Sequence, residues 1–412
     1  MSGVHPPVTS TTSVPQSPWA LLRLISGHVC LHASMAGMRL AAPLWALQQG
    51  YGPLAVGFLL ALFSLSQVFL ALPAGRFADR HGLRKPVSWA VVASIIGAST
   101  AALYPHFVVL CFSALMMGGA TGAAAIALQR HVGRAAADAT DLRRVFSWLS
   151  IGPAISNFLG PVAAGLLIDY AGVWLGGQVA DRNGFVAAFA LMALLPSLAW
   201  WCVRGTREQE PVAQAGEATP SAWPLLKDPT MRRLLLVNWL LSSCWDVHTF
   251  VVPVLGHERG FSASVIGTIL GAFAVAAAVV RVFLPLLAAR LREWAVVTTA
   301  MVATAILFAV YPLMPTAWAM GVCSVLLGLA LGTVQPMIMS TLHQITPHAM
   351  HGQAIALRLM TINLSSVLMP MLFGTAGVVV GVSVVFWTVG ALVGLGSHAA
   401  WGLRAGPHTG SP

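Results

Sequence analysis

Pro43-Leu44-Trp45-Ala46-Leu47-Gln48-Gln49-Gly50-Tyr51-Gly52-Pro53-Leu54-Ala55-Val56-Gly57 returns 210 residues later in skeleton form as Pro253-Val254-Leu255-Gly256-His257-Glu258-Arg259-Gly260-Phe261-Ser262-Ala263-Ser264-Val265-Ile266-Gly267. What repeats is the punctuation: a proline, then glycine followed by an aromatic residue, then a second glycine at the same spacing. Farther along each copy the offset is 209, which aligns Pro161 with Pro370 and Gly165 with Gly374. Proline and glycine dictate backbone geometry more than they fill a core. Matched landmarks of this kind therefore describe two halves with one architecture.

Apolar residues flank each copy. Across the 412 residues, 57% are hydrophobic and only 8% charged, against about 25% charged in soluble domains. A water-facing surface cannot be made from that supply. Stretches of about 20 apolar residues are long enough to cross about 30 Å of hydrocarbon as helices. They place helices near 22–47, 53–74, 87–104, 107–129, 145–168, 184–203, 233–255, 263–288, 295–313, 317–341, 355–376 and 380–402. The fold class expected is an all-α membrane protein of twelve transmembrane helices in two pseudo-symmetric six-helix bundles.

The charges test that count. Of the 22 Lys and Arg, Arg39, Arg281 and Arg358 lie within spans, only Arg182 and Arg259 fall on one side, and the remaining 17 fall on the other. Lys and Arg collect in cytoplasmic loops, so both termini and the central loop are expected in the cytoplasm and the protein in the inner membrane. The formal net charge of +10 is thereby a record of topology and not of nucleic-acid binding. Residues 1–21 read as a disordered cytoplasmic tail, 22–203 as the first bundle, 204–232 as a polar linker, 233–403 as the second bundle, and 404–412 as a short tail. The segment before the first span carries no basic start of the kind a signal peptide needs. All five cysteines lie in or beside apolar segments without CxxC spacing, so neither disulfides nor metal thiolates are expected.

Between the second and third spans stands Gly75-Arg76-Phe77-Ala78-Asp79-Arg80-His81-Gly82-Leu83-Arg84-Lys85. Gly75 and Gly82 permit a tight turn and close helix approach, Asp79 can accept from Arg80 or from a facing helix N-terminus, and Arg84 and Lys85 hold the loop at the lipid surface. This ordered Gly-Asp-Arg-Gly-basic pattern resembles the signature loop of the major facilitator superfamily. The resemblance implies a latch in which Asp79 contacts the start of the eleventh helix while the cytoplasmic side is closed, with Arg130 and Arg358 as candidate partners. In the second half the acid is replaced by Ala289, so the latch is one-sided.

The fifth span holds Gly152, Gly160-Pro161 and Gly165, similar to the Gly-Pro motif of antiporters in the same superfamily. Glycines so spaced let helices touch along their backbones, and the resemblance implies export. Met116 occupies the place of an arginine common in the fourth span of proton-coupled exporters, a departure from the family pattern on which the usual coupling scheme depends.

Intramembrane charge supplies the candidate site. An ionisable group at a helix centre costs about 2.5–3.5 kcal/mol on insertion scales, so one that persists is paired or faces water. His28, His32, Met35 and Arg39 fall on one stripe of the first span, and Asn238, Ser242, Asp246 and Thr249 on one stripe of the seventh. Both stripes are expected to face a central cavity, with Arg39 and Asp246 close together. Asp246, read as the only carboxylate deep in a span, is either a proton-coupling group released when Arg39 swings away or half of a static gate. His248 titrates nearby or is a packing residue. Arg281 and Arg358 are expected to snorkel from cytoplasmic ends. His343, His348 and His351 are too loosely spaced, and lack an acid, for a metal site.

The expectation is a monomeric secondary transporter that works by alternating access and exports a small amphipathic organic molecule in exchange for protons. It needs no cofactor or metal, and its partners are its cargo, protons and the bilayer. Proton-coupled uptake of a nutrient or metabolite is the second transport reading, and a non-transporting sensor on the same fold is another. HExxH, GxSxG and GxxxxGK[ST] are absent from the sequence, which weighs against a membrane enzyme.

Overall fold

The structure, a computed structural model, describes residues 18–135, 139–206, 223–287, 292–346 and 350–405. Among them are twelve α-helices. They are α1 Pro18–Gln48, α2 Pro53–His81, α3 Arg84–Leu103, α4 Phe107–Ala135, α5 Ala139–Trp174 and α6 Arg182–Val203, then α7 Pro229–Glu258, α8 Ala263–Leu287, α9 Glu293–Val310, α10 Ala317–Ile345, α11 His351–Val380 and α12 Val382–Trp401. Eleven are long and apolar enough to cross a membrane. The exception is α1, where Arg23, His28, His32 and Arg39 lower the hydropathy. It is sheltered by packing on α5 and α6.

Several boundaries differ from those read in the sequence. The first helix begins at Pro18, inside the expected tail, and α7 begins at Pro229 after a short 3-10 turn over Trp223–Lys227, inside the expected linker. Leu225 in that turn is buried, so this end of the linker packs against the bundle. Residues 207–222 of the linker lie outside the described residues. The signature motif is mostly helix: α2 runs through Gly75 to His81, and only Gly82, with φ +72°, makes the turn. Gly75 lies within the helix, and a Cβ there would meet only the Arg130 guanidinium at 3.9 Å.

Each bundle is held internally, α1 against α5 and α6, α3 against α4 and α6, α2 against α4, and correspondingly α7 against α11 and α12, α9 against α10 and α12, α8 against α10. The bundles meet chiefly along α2–α11 and α5–α8. The landmarks of the internal repeat explain how. Gly50 and Gly260 end α1 and α7 with φ +85° and +71°. The pattern is the same at both, Tyr51 N donating to Ala46 O at 3.0 Å and Phe261 N to Gly256 O at 2.9 Å. These are Schellman closures that an L residue would strain.

Seven residues on, Gly57 lies so close to the Pro370 carbonyl that an added Cβ would collide with it, and Gly267 stands in the same relation to the Pro161 carbonyl. Gly374 abuts Pro53 and Leu54 as Gly165 abuts Ala263 and Ser264. The repeated glycines and prolines thus form two equivalent seams. Both lie toward the face opposite the chain termini, hereafter the far face, and hold it closed.

Candidate functional site

A cavity of about 320 Å³ lies between the bundles, lined from α1, α5, α7, α8, α10 and α11. The α7 stripe Asn238, Ser242, Asp246 and Thr249 lines it, and so do His32 and Arg39 of α1. His28 and Met35, on the same α1 stripe, are buried beside it. The His28 and His32 rings stand 5.8 Å apart.

Asp246 is buried and accepts from Ser365 Oγ at 2.9 Å and Ser366 Oγ at 3.2 Å, both on α11. Arg39 and Asp246 face the same cavity from opposite bundles. Yet Arg39 Nε is buried without a hydrogen-bond partner. The described hydrogen bonds of the carboxylate are made within the second bundle, and the guanidinium of the first bundle lines the same cavity. An arrangement of this kind has somewhere to move, because the two charges share a cavity without being locked together.

His248 is fully buried away from the cavity lining. Its Nε2 lies 2.9 Å from Ser324 Oγ, and its ring stacks on Phe273 with centroids 4.2 Å apart. It packs the core of the second bundle.

Arg281 and Arg358 depart from the expectation that they snorkel. Arg281 lines the cavity, with Nε donating to Gly332 O at 3.3 Å and its guanidinium carbon 5.8 Å from the Trp245 ring centroid. Arg358 is 5% exposed, its Nε donating to Asn238 Oδ1 at 3.1 Å and its terminal nitrogen to Gln335 Oε1. Both instead donate to acceptors inside the second bundle, Arg281 through Nε and Arg358 through Nε and a terminal nitrogen.

The Asp79 side chain lies outside the described residues. Of the two partners read for it, Arg130 clamps the motif by donating to Gly75 O at 2.9 Å, whereas the described hydrogen bonds of Arg358 go to Asn238 and Gln335. Arg80, Arg84 and Lys85 are exposed. Gly152 approaches His28 and Val29, and Gly160 meets the α1 backbone at Ala33 and Gly37. With Pro161 and Gly165 against α8, the motif joins three helices. Ala289 and His348 lie outside the described residues. Among the described residues no three His, Cys, Asp or Glu side chains gather to hold a metal ion.

One carboxylate was missed. Asp169, one residue past the fifth span as read from sequence, lies within α5, is 2% exposed, and accepts from the backbone N–H groups of Ala263 at 3.1 Å and Ser264 at 2.7 Å. It caps α8 from the other bundle, where the helix's unpaired N–H groups favour an anion. The signal was available: Pro161, Gly165 and Asp169 recur every four residues on the stripe that faces α8.

Two six-helix halves around a central cavity of mixed apolar and polar lining define the class of a carrier. A family model described as Major Facilitator Superfamily matches residues 24–262 and again 234–412. The chain belongs to that family. Among solved structures it is similar to a bacterial homolog of the human lysosomal transporter Spinster in an inward-facing and occupied conformation, at TM-score 0.78 and 13% identity over 94% of this chain and 97% of that one. It is also similar to a POT family transporter in complex with 5-aminolevulinic acid, at 0.76 and 15% over 94% and 97%. A mutant of the nucleoside transporter NupG gives 0.74 and 14% over 93% and 99%. No curated protein matches the sequence.

Proposed function

We propose that this chain is a proton-coupled secondary transporter that moves a small amphipathic organic molecule across the cytoplasmic membrane by alternating access. It acts as a carrier and not as an enzyme, and both its termini are in the cytoplasm. The observation that carries the reading is that Arg39 and Asp246 line one cavity from opposite bundles, since a relative movement of the bundles changes the field at the one carboxylate in the described lining. A proton-binding group whose environment depends on which face is open links proton movement to cargo movement.

Export in exchange for protons is the direction we infer, from the resemblance of Gly152, Gly160-Pro161 and Gly165 to the Gly-Pro motif of antiporters in the same superfamily. Mixed apolar and polar lining, with Trp245 and Phe273 beside Asn157 and Gln335, suits an amphipathic cargo. The test is the handling of a labelled cargo by cells before and after collapse of the proton gradient. Retention rising on collapse supports export, and falling accumulation supports uptake instead.

The cytoplasmic latch is part of the same proposal. Asp79→Ala is expected to slow turnover several-fold while leaving membrane insertion intact. Transport rates normalised to the amount of inserted protein would measure it, and an unchanged rate removes the latch.

A further inference from the structure

Toward the termini face of the cavity, four helices bring together Arg281, Arg358, Asn238 and Gln335. Arg281 of α8 and Arg358 of α11 both bond to one turn of α10, at Gly332 O and Gln335 Oε1. Arginine only donates, so its partners' orientations follow. Asn238 must turn its oxygen toward Arg358, and Gln335 must do likewise. Each amide therefore has its whole NH2 group, and one remaining oxygen lone pair, for other partners. The Asn238 Nδ2 is buried and has no hydrogen-bond partner, and both residues line the cavity along with Arg281.

From this geometry we infer an anion-binding subsite in the cavity: the Arg281 guanidinium and the amide NH2 groups of Asn238 and Gln335 receive the carboxylate of an organic acid. Arg358 holds the two amides in that orientation from behind, and Trp245 and Phe273 take the apolar body. The Asn238 Nδ2 is an unspent donor, and the described hydrogen bonds of the two cations go only to neutral oxygens. An incoming carboxylate supplies the missing acceptors and the missing negative charge together, and the planar guanidinium fork matches its two oxygens. Trp245, next to Asp246 in sequence, lines the same cavity with its ring centroid 5.8 Å from the Arg281 guanidinium carbon. Its ring meets Phe273 edge-on at 4.5 Å and provides a flat apolar surface next to the charge. Asp246 accepts from Ser365 and Ser366 and shares the cavity lining with Arg39. No described hydrogen bond joins it to Arg281, whose own goes to Gly332 O.

This inference rests on the carrier reading and names the cargo's chemical class. Its test uses purified full-length protein in phosphatidylcholine nanodiscs and three probes of one shape: 3-phenylpropanoate, 3-phenylpropanamide and 3-phenylpropylamine. Calorimetric or thermal-shift titration is expected to show the acid binding at least about tenfold more tightly than the amide, a gap of about 1.4 kcal/mol, with no binding of the amine. Arg281→Gln is expected to erase the preference for the acid and Arg281→Lys to keep part of it, which guards against a variant that fails to fold. Arg358→Gln is expected to weaken the acid and leave the amide unchanged.

Equal binding of the three probes, preference for the amine, no binding of any, or an Arg281→Gln variant with unaltered affinity for the acid would each overturn the subsite. In the same samples, spin labels at the far-face ends of α5 and α8 report alternation as pH is varied. Alternation without a charge preference removes the subsite and keeps the carrier. A charge preference without alternation does the reverse.

Discussion

Asp246→Asn is expected to abolish uphill transport while cargo still binds and still exchanges down its own gradient. The substituted amide keeps an oxygen for the Ser365 and Ser366 hydroxyls, so the α7–α11 contact survives. What it loses is the ability to exchange a proton with Arg39's field as the arbiter. In reconstituted vesicles, an imposed pH gradient would then drive no accumulation, while counterflow of labelled against unlabelled cargo would continue. If the variant still concentrated cargo against its gradient, Asp246 would not be the coupling group, and the pair with Arg39 would be a static tie between bundles.

The second large effect is expected at the far face. Asp169→Ala removes the acceptor for two buried backbone N–H groups at the start of α8. A hydrogen bond to a charged group contributes about 1.5–3 kcal/mol, and about 1.4 kcal/mol shifts a two-state population tenfold. Losing this cap should therefore move the carrier at least about tenfold toward the state open on the far face. A thiol probe added from that side would label a cysteine placed in the cavity wall correspondingly faster. Asp169→Asn, which keeps one acceptor oxygen, is expected to fall between. Equal labelling in all three proteins would show that the glycine and proline seams alone hold the face shut.

Much of the architecture was legible because proline and glycine leave marks that survive when other residues diverge. Gly50 and Gly260 repeat because two helix ends need the same left-handed backbone, and Gly57 and Gly267 repeat because two interbundle seams need the same absence of a side chain. Helix period likewise placed Asn238, Ser242, Asp246 and Thr249 on one lining stripe. Less legible was anything that depends on a partner from another helix.

Position along a span suggested that Arg281 and Arg358 reach for the lipid headgroups. It could not reveal Gly332, Gln335 and Asn238 as nearer acceptors. Asp169 fell just beyond an estimated span end, where a carboxylate reads as solvated. Its two N–H donors belong to residues more than ninety positions away. The signature loop was read as a turn from Gly75 onward, whereas the helical hydrogen bonds of α2 continue to His81 and Gly82 alone breaks them. In each case local pattern located the residue, and the tertiary partner decided its role.

The most direct test is a pair of distances measured in one lipid sample by double electron–electron resonance, one between the far-face ends of α5 and α8 and the other between the termini-face ends of α4 and α10. Shifting pH or adding cargo is expected to lengthen one distance as it shortens the other, since two rigid bundles pivot about the cavity that holds Arg39 and Asp246. Two distances that stay fixed under every condition, or that lengthen together, would contradict alternating access for this chain.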